Sequence, residues 1–151
     1  MEFVQNFPFF SIILSMFAGI VSSVLDGKWA KRVSLCLVTA VIAMSAAILV
    51  WTLRTGESYT YMMGHFPAPW GNEIRAGVLE ALTATIFGVV MLLSIVGGMN
   101  WIFVDVEPAK TNLFFIMVDL MLSSLLAMIY TNDLFTAYVF VEINTIAACG
   151  M

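Results

Sequence analysis

Three acidic residues lie inside long apolar stretches of this sequence, where side chains that can gain or lose a proton are rare. Glu80, Asp119 and Glu142 each interrupt a hydrophobic segment that contains no Lys, Arg or His. An ionised carboxylate at the centre of a membrane helix costs roughly 2.5 to 3.5 kcal/mol on insertion scales, so such residues are usually retained for function. A carboxyl group that can be neutral or charged is suited to a proton relay. The pattern therefore predicts a site that handles protons or cations.

The expected depth in the membrane distinguishes the three acids. At about 1.5 Å per residue, Glu142 lies about 12 Å from the outer end of a segment about 27 Å long, close to the midplane. By the same rise, Asp119 lies roughly 10 Å from the cytoplasmic end of its segment. Glu80 lies near the outer end of its segment, where it can reach interfacial water. Glu142 is therefore the principal candidate for ion translocation, and Asp119 and Glu80 are further candidates.

Helical spacing places more polar side chains on the same faces as the two deeper acids. In the segment that contains Glu142 they are Tyr138, Thr145 and Cys149. In the segment that contains Asp119 they are Asn112, Ser123 and Tyr130. Two such faces can meet each other or line a water-filled cavity of a partner, with Tyr138 and Thr145 supporting Glu142. Alternatively, the hydroxyl groups form hydrogen bonds across packed helices.

The composition indicates a membrane protein. Hydrophobic residues make up 62% of the 151 residues, charged residues make up 11%, and the mean hydropathy is +1.00. Soluble domains contain about 25% charged and about 45–50% apolar residues, so these few charges cannot cover a water-facing surface. The net charge of −4 and the lack of a basic patch give no indication of a nucleic-acid partner. We expect a multi-pass protein of the cytoplasmic membrane, in contact with the lipid bilayer.

Five apolar segments approach the length of a membrane helix, since about 20 residues span about 30 Å of hydrocarbon. They run from Phe7 to Leu25, Val33 to Leu53, Gly77 to Met99, Asn112 to Tyr130 and Leu134 to Met151. The first segment is expected to be a retained helix rather than a signal peptide, because no Lys or Arg precedes it. The sequence therefore predicts an all-α, polytopic membrane protein, with one membrane domain over residues 1–151.

Lys and Arg residues predict the orientation, because cytoplasmic loops carry an excess of them. With the N-terminus outside, the cytoplasmic loops hold four of the six, namely Lys28, Lys31, Arg32 and Lys110. The outer loop then holds the other two, Arg54 and Arg75. This bias favours an outside N-terminus and, with five spans, a cytoplasmic C-terminus.

No metal or other cofactor is predicted. Cys36 and Cys149 lie in apolar segments without metal-ligand spacing, and they are expected to be buried free thiols. His65 precedes the Pro-rich stretch Phe66–Trp70, which is expected to form an ordered turn at the headgroup level, where Trp is favoured. A lone His in such a loop is expected to be an interfacial polar residue rather than a metal ligand.

Two blocks of the sequence resemble motifs of the antiporter-like family. Residues 131–142, Thr-Asn-Asp-Leu-Phe-Thr-Ala-Tyr-Val-Phe-Val-Glu, are similar to the family's fifth-helix motif, whose Glu translocates protons. Residues 61–74, which include Pro67, Pro69 and Trp70, resemble the loop before the family's third helix. The family comprises large subunits of Mrp-type cation/proton antiporters and relatives in respiratory complex I and membrane-bound hydrogenases. The resemblance implies that Glu142 is the motif Glu, Asp133 is the motif Asp, and Glu80 is the third-helix acid.

The chain departs from the family pattern in sequence and in length. Asn132 replaces the usual Gly before the motif Asp, and Thr136 replaces the usual Asn. Family members have many more helices, which carry the lysines and His that complete the proton path. The chain thus resembles the N-terminal portion of an antiporter-like subunit, either as a split gene product or as a reduced relative. We expect other membrane subunits as partners that supply the missing helices and lysines.

Two functions from different classes fit these features. The first is translocation of H⁺ or Na⁺ through Glu142 within a multi-subunit membrane complex, with any catalytic site on other subunits. The second is a structural role, as a non-transporting helical adaptor of a membrane-bound redox complex such as a hydrogenase or a complex I relative. A quinone-site subunit is a weaker third hypothesis, because nothing in the sequence resembles a redox cofactor site. We expect ion transport rather than enzymatic catalysis.

Overall fold

The computed structural model describes residues 2–62, 71–107 and 110–150, and α-helices dominate this part of the chain. The helices are α1 (Glu2–Gln5), α2 (Phe7–Val24), α3 (Gly27–Thr55), α4 (Val78–Asp105), α5 (Thr111–Tyr130) and α6 (Leu134–Cys149). Between α3 and α4, the strands β1 (Tyr59–Met62) and β2 (Glu73–Ala76) pair in antiparallel fashion. The prediction of an all-α polytopic membrane protein is confirmed, with this hairpin as a small addition.

Four of the described helices, α2 to α5, are long and apolar enough to cross a membrane. The fifth apolar segment forms α6, a helix of 16 residues. At about 1.5 Å per residue, this helix is about 24 Å long, somewhat less than the ~30 Å of a typical hydrocarbon core.

Two helices extend beyond the apolar segments that suggested them. Helix α3 begins at Gly27 rather than at Val33, and α4 continues to Asp105 rather than ending at Met99. The residues between Gly27 and Val33 include Lys, Ala and Arg, which favour helix, and none of them breaks it. Three of the cations assigned to the first cytoplasmic loop therefore lie on the first turns of α3.

The β-hairpin connects the α3–α4 junction to the α5–α6 junction. Ile74 of β2 forms an isolated antiparallel bridge with Thr131, and the backbone N–H of Asn132 donates to the carbonyl of Glu73 at 2.8 Å. The turn predicted around His65 lies outside the described residues. The hairpin thus fixes the position at which the chain leaves α5 and begins α6.

Helix α5 is the centre of the bundle and packs against α2, α3, α4 and α6. Its side chains Phe115, Leu122 and Leu126 are almost fully buried. The face that α2 turns inward consists largely of small residues, which let two helix backbones approach closely in a membrane. The buried residues of this face are Pro8, Ser11, Ser15, Ala18, Gly19 and Ser22.

The two cysteines are free thiols, but both lie on the outer surface of the bundle rather than inside it. The expectation that they are buried within the chain is therefore wrong. In water, a small apolar side chain gains by turning inward. In lipid that preference is largely lost, because the hydrocarbon is as apolar as the helix interior.

Replacing Gly88 by Ala should weaken the contact between α3 and α4. An added methyl carbon at Gly88 would lie 2.8 Å from Cγ1 of Ile42, and overpacking typically costs about 1–3 kcal/mol. Gly97→Ala in the same helix is the matched control, since no atom lies within 4 Å of its added carbon.

Thermal unfolding in detergent should show a lower midpoint for Gly88→Ala. The midpoint of Gly97→Ala should be unchanged or higher, because Ala favours a helix over Gly. Equal midpoints for the two variants would contradict close packing of α3 against α4 at Gly88.

Candidate ion-translocation site

Asp119 is the acid that the structure buries most completely. Its side chain lies in the middle of α5 with 0% of its surface exposed. The Oδ2 atom accepts hydrogen bonds from the hydroxyl of Ser34 on α3, at 2.9 Å, and from that of Ser22 on α2, at 3.2 Å. One carboxyl oxygen thus connects three helices.

The second carboxyl oxygen of Asp119, Oδ1, is also buried but has no hydrogen-bond partner among the described residues. Buried polar atoms without partners are rare, because removing them from water without compensation is unfavourable. The ion pairs of the described residues join other side chains, so no Lys or Arg there neutralises Asp119. Asp119 is thus a buried acid that two hydroxyl donors hold by one oxygen, with its other oxygen unpaired among the described residues.

In contrast to the buried Asp119, Glu142 has an exposed side chain on α6. Tyr138, which is 62% exposed, and Thr145 lie on the same uncovered face. The Tyr138 hydroxyl interacts with the Glu142 carboxylate, and the Thr145 hydroxyl donates to the carbonyl of Val141 at 2.9 Å. Burial of Glu142 is therefore not provided by the described part of this chain.

The polar faces of α5 and α6 do not meet each other. Asp119 faces α2 and α3, whereas the face of α6 that carries Glu142 is not covered by another helix of this chain. A different pair joins the two helices, because the Ser124 hydroxyl donates to Oδ1 of Asn144 at 3.3 Å. Helix α6 therefore contacts α5 through Asn144, and its Glu142 side chain points away from the bundle.

Glu80 lies at the end of a helix, as its position in the sequence predicts. It occupies the first turn of α4, where its Oε2 atom accepts a hydrogen bond from the backbone N–H of Gly77 at 3.0 Å. Its Oε1 atom lies 3.8 Å from Nε of Arg75. Glu80 is thus partly neutralised and serves as a cap, unlike the two deeper acids.

Asp133 is the N-cap of α6 and fixes where that helix begins. Its Oδ2 atom accepts from the hydroxyl of Thr136 at 2.7 Å and from the Thr136 backbone N–H at 3.0 Å, and Oδ1 accepts from the N–H of Phe135 at 3.4 Å. These hydrogen bonds, that of the Thr136 hydroxyl first, lower the pKa of the Asp133 carboxyl below its usual value. An ionised side chain is favourable at this end of a helix.

Sequence reasoning did not identify the two serines that hold Asp119, nor the link between Ser124 and Asn144. The sequence does contain a signal for one of the two serines, Ser22, because Ser11, Ser15 and Ser22 recur at helical spacing along α2. A face of small hydroxyl residues in a membrane helix favours close packing and hydrogen bonds to a neighbouring helix. Among the described residues, no group of three or more His, Cys, Asp or Glu side chains could hold a metal ion.

The chain is similar in sequence to a subunit of an NADH-quinone oxidoreductase. It is 28% identical over 154 residues to NADH-quinone oxidoreductase subunit N of Desulforudis audaxviator. The match covers 97% of this chain but only 30% of that relative, so the chain spans less than a third of the relative's length. No family model matches the chain.

Two solved structures share the fold. One is the membrane-bound sulfane sulfur reductase, an archaeal respiratory membrane complex, with a TM-score of 0.73 and 21% identity over 98% of this chain and 29% of that one. The other is the Mrp complex of a Dietzia species, with a TM-score of 0.79 and 18% identity over 99% of this chain and 27% of that one. The resemblance to antiporter-like subunits that the two sequence motifs indicated is confirmed.

Asp119→Ala should destabilise the bundle, because the buried hydroxyls of Ser22 and Ser34 lose their common acceptor. A buried polar group left without a partner costs roughly 1–3 kcal/mol. Asp119→Asn should cost less, since one amide oxygen can accept from both serines. Asp105→Ala, which removes an exposed Asp at the end of α4, is the control and should leave stability unchanged.

The measurement is the midpoint of thermal unfolding of the three variants in the same detergent. An Asp119→Ala midpoint equal to that of Asp105→Ala would show that the buried hydrogen bonds of Asp119 do not hold the three helices together.

Proposed function

We propose that this chain is an ion-translocating subunit, or the N-terminal portion of one, within a multi-subunit complex of the cell membrane. The translocated ion is H⁺, Na⁺ or both. The observation that carries this proposal is an acidic side chain, Glu142, on an uncovered face of an apolar helix. The similarity to a respiratory subunit and to an Mrp complex supports the class of function.

A carboxylate in this position requires a partner outside the chain. Exposing an ionised side chain to hydrocarbon is expensive, so such residues face a water-filled cavity or pair with other protein groups. No Lys or Arg among the described residues forms an ion pair with Glu142. In the two ion pairs found there, Arg75 pairs with Glu80 and Lys110 pairs with Glu107. Another membrane subunit that carries a Lys opposite Glu142 satisfies this requirement.

A proton would move if the contact between Glu142 and the partner Lys formed and broke in turn. A Lys within about 4–6 Å of a carboxyl group favours its ionised form, and burial in a low dielectric favours its neutral form. Glu142 would therefore release a proton when the partner Lys approaches and take one up when the Lys withdraws. Tyr138, which interacts with the carboxylate, would support Glu142 in this exchange.

Asp119 and Glu80 have separate parts in this proposal. Asp119 is enclosed by α2, α3 and α5 and could store a proton within the bundle. Glu80 lies at the helix end and pairs with Arg75, where it could exchange a proton with interfacial water. None of these steps forms or breaks a covalent bond in a substrate, so the chain is proposed to act in transport and not as an enzyme.

Glu142→Gln should abolish or strongly reduce ion transport without preventing assembly. Gln keeps the size and hydrogen-bonding capacity of Glu but cannot release a proton. Glu142→Asp keeps the acid with a shorter reach and should have a milder effect. Glu57→Gln, which neutralises an exposed Glu in the loop after α3, is the control and should transport like the unmodified protein.

Cation/proton exchange or redox-driven pumping should be measured in vesicles that contain equal amounts of complex. Transport by Glu142→Gln at the unmodified rate would make Glu142 a packing residue and favour the helical adaptor function instead.

We also propose that the N-terminus lies outside and that the start of α3 faces the cytoplasm. Lys28 and Arg54 are both exposed and lie near opposite ends of α3. In a background without Cys36 and Cys149, Lys28→Cys should react with an impermeant thiol reagent only from the cytoplasmic side, and Arg54→Cys only from the outside. The reverse pattern would overturn this orientation.

A further inference from the structure

Three cations and an aromatic ring surround a cleft at the end of the bundle where α3 begins. The cleft has a volume of about 280 Å³ and is lined by Lys28, Lys31, Arg32 and Phe103. Phe103 lies near the end of α4, so the cleft lies between two helices. We propose that this cleft binds the phosphate headgroup of an anionic phospholipid.

The three cations have no acidic partner within the described part of the chain. The ion pairs found there, Arg75 with Glu80 and Lys110 with Glu107, involve other residues. Asp26 directly precedes α3 but makes no side-chain capping hydrogen bond. The sequence contains six Lys and Arg residues in total, so half of them line this cleft, and none of these three forms an ion pair with a described residue. An anion bound in the cleft would neutralise this concentration of positive charge.

Aromatic rings hold two of the cations in place. The Lys31 ammonium lies 5.3 Å from the centre of the Phe103 ring, and the Arg32 guanidinium lies 4.7 Å from that of Trp29. Such contacts are favourable and restrict the motion of long side chains. The cleft is therefore partly preorganised for a charged group before a ligand arrives.

The surroundings of the cleft favour a lipid over a soluble anion. Trp29 is 56% exposed, and Trp101, two residues before Phe103 on α4, is 68% exposed. Exposed Trp side chains are typical of the membrane–water interface. Val24 and Val104 offer exposed apolar surface for acyl chains near the same end of the bundle. Basic pockets between membrane helices bind anionic headgroups through this combination of charge and apolar contact.

The double variant Lys28→Gln with Lys31→Gln tests the site by removing two of the cations. The charge-matched control is Arg54→Gln with Lys110→Gln, which removes two cations that do not line the cleft. A second variant, Lys28→Arg with Lys31→Arg, keeps the charge. The full chain is purified in detergent with the subunits that remain bound to it, and retention of added phosphatidylglycerol is titrated by native mass spectrometry.

Phosphatidylglycerol should bind saturably to the unmodified protein and more tightly than zwitterionic phosphatidylcholine. The glutamine double variant should bind it about tenfold more weakly or worse, and the control and the arginine variant should bind within about twofold of the unmodified protein. If the glutamine double variant does not assemble, Lys28→Gln alone should show a smaller loss of the same lipid.

Equal binding of phosphatidylglycerol by the glutamine double variant and the control would overturn the proposal. Displacement of the lipid by an equal concentration of inorganic phosphate would also overturn it, because the cleft would then be a site for a soluble anion. Equal retention of phosphatidylglycerol and phosphatidylcholine would show that charge does not select the ligand and would overturn it as well.

Discussion

The rest of the bundle depends on the buried carboxyl group of Asp119. Two serine hydroxyls, from α2 and α3, donate to one of its oxygens and hold both helices against α5. In a membrane, lipid tails are as apolar as a leucine side chain, so the hydrophobic effect does little to bring helices together. Close packing and hydrogen bonds supply that association. Helix α5 is thereby fixed at the centre, and α6 is placed by its contact with α5.

Asp119 and Glu142 lie in opposite environments, since Asp119 is buried within the bundle and Glu142 is exposed on its surface. Asp119 has hydroxyl donors from its own chain, whereas Glu142 has a tyrosine beside it and otherwise an uncovered face. Most other hydroxyl groups in the helices donate to carbonyls of the preceding turn, as Thr85 and Ser94 do. The outward-facing carboxylate of Glu142 on an apolar helix is the feature on which the proposal of a partner subunit depends.

The contacts near the hairpin determine where α6 begins and so place Glu142 relative to the hairpin. The bridge between Ile74 and Thr131 ties the hairpin to the α5–α6 junction, and Asp133 caps α6 immediately afterwards. Thr136, which replaces the usual Asn of the motif, supplies a hydroxyl to that cap. Since a helix rises about 1.5 Å per residue, fixing its first residue fixes the distance of Glu142 from that end of the bundle.

The sequence by itself determined the membrane class, the five apolar segments, the family resemblance and the place of Glu80 at a helix end. Those conclusions rest on composition, on motifs and on position along a helix axis, all of which are linear properties of a chain. Only the tertiary structure decided that Asp119 faces inward, that Glu142 and Cys36 face outward, and that the cations after Gly27 line a cleft. In water, the polar face of a helix marks its outer side and can be read from hydrophobic periodicity. In lipid the outward side of a helix is as apolar as most of its packed side, so direction around the axis is set mainly by packing against neighbours. An exception is α2, where a row of small hydroxyl residues marks the inward face within a single segment.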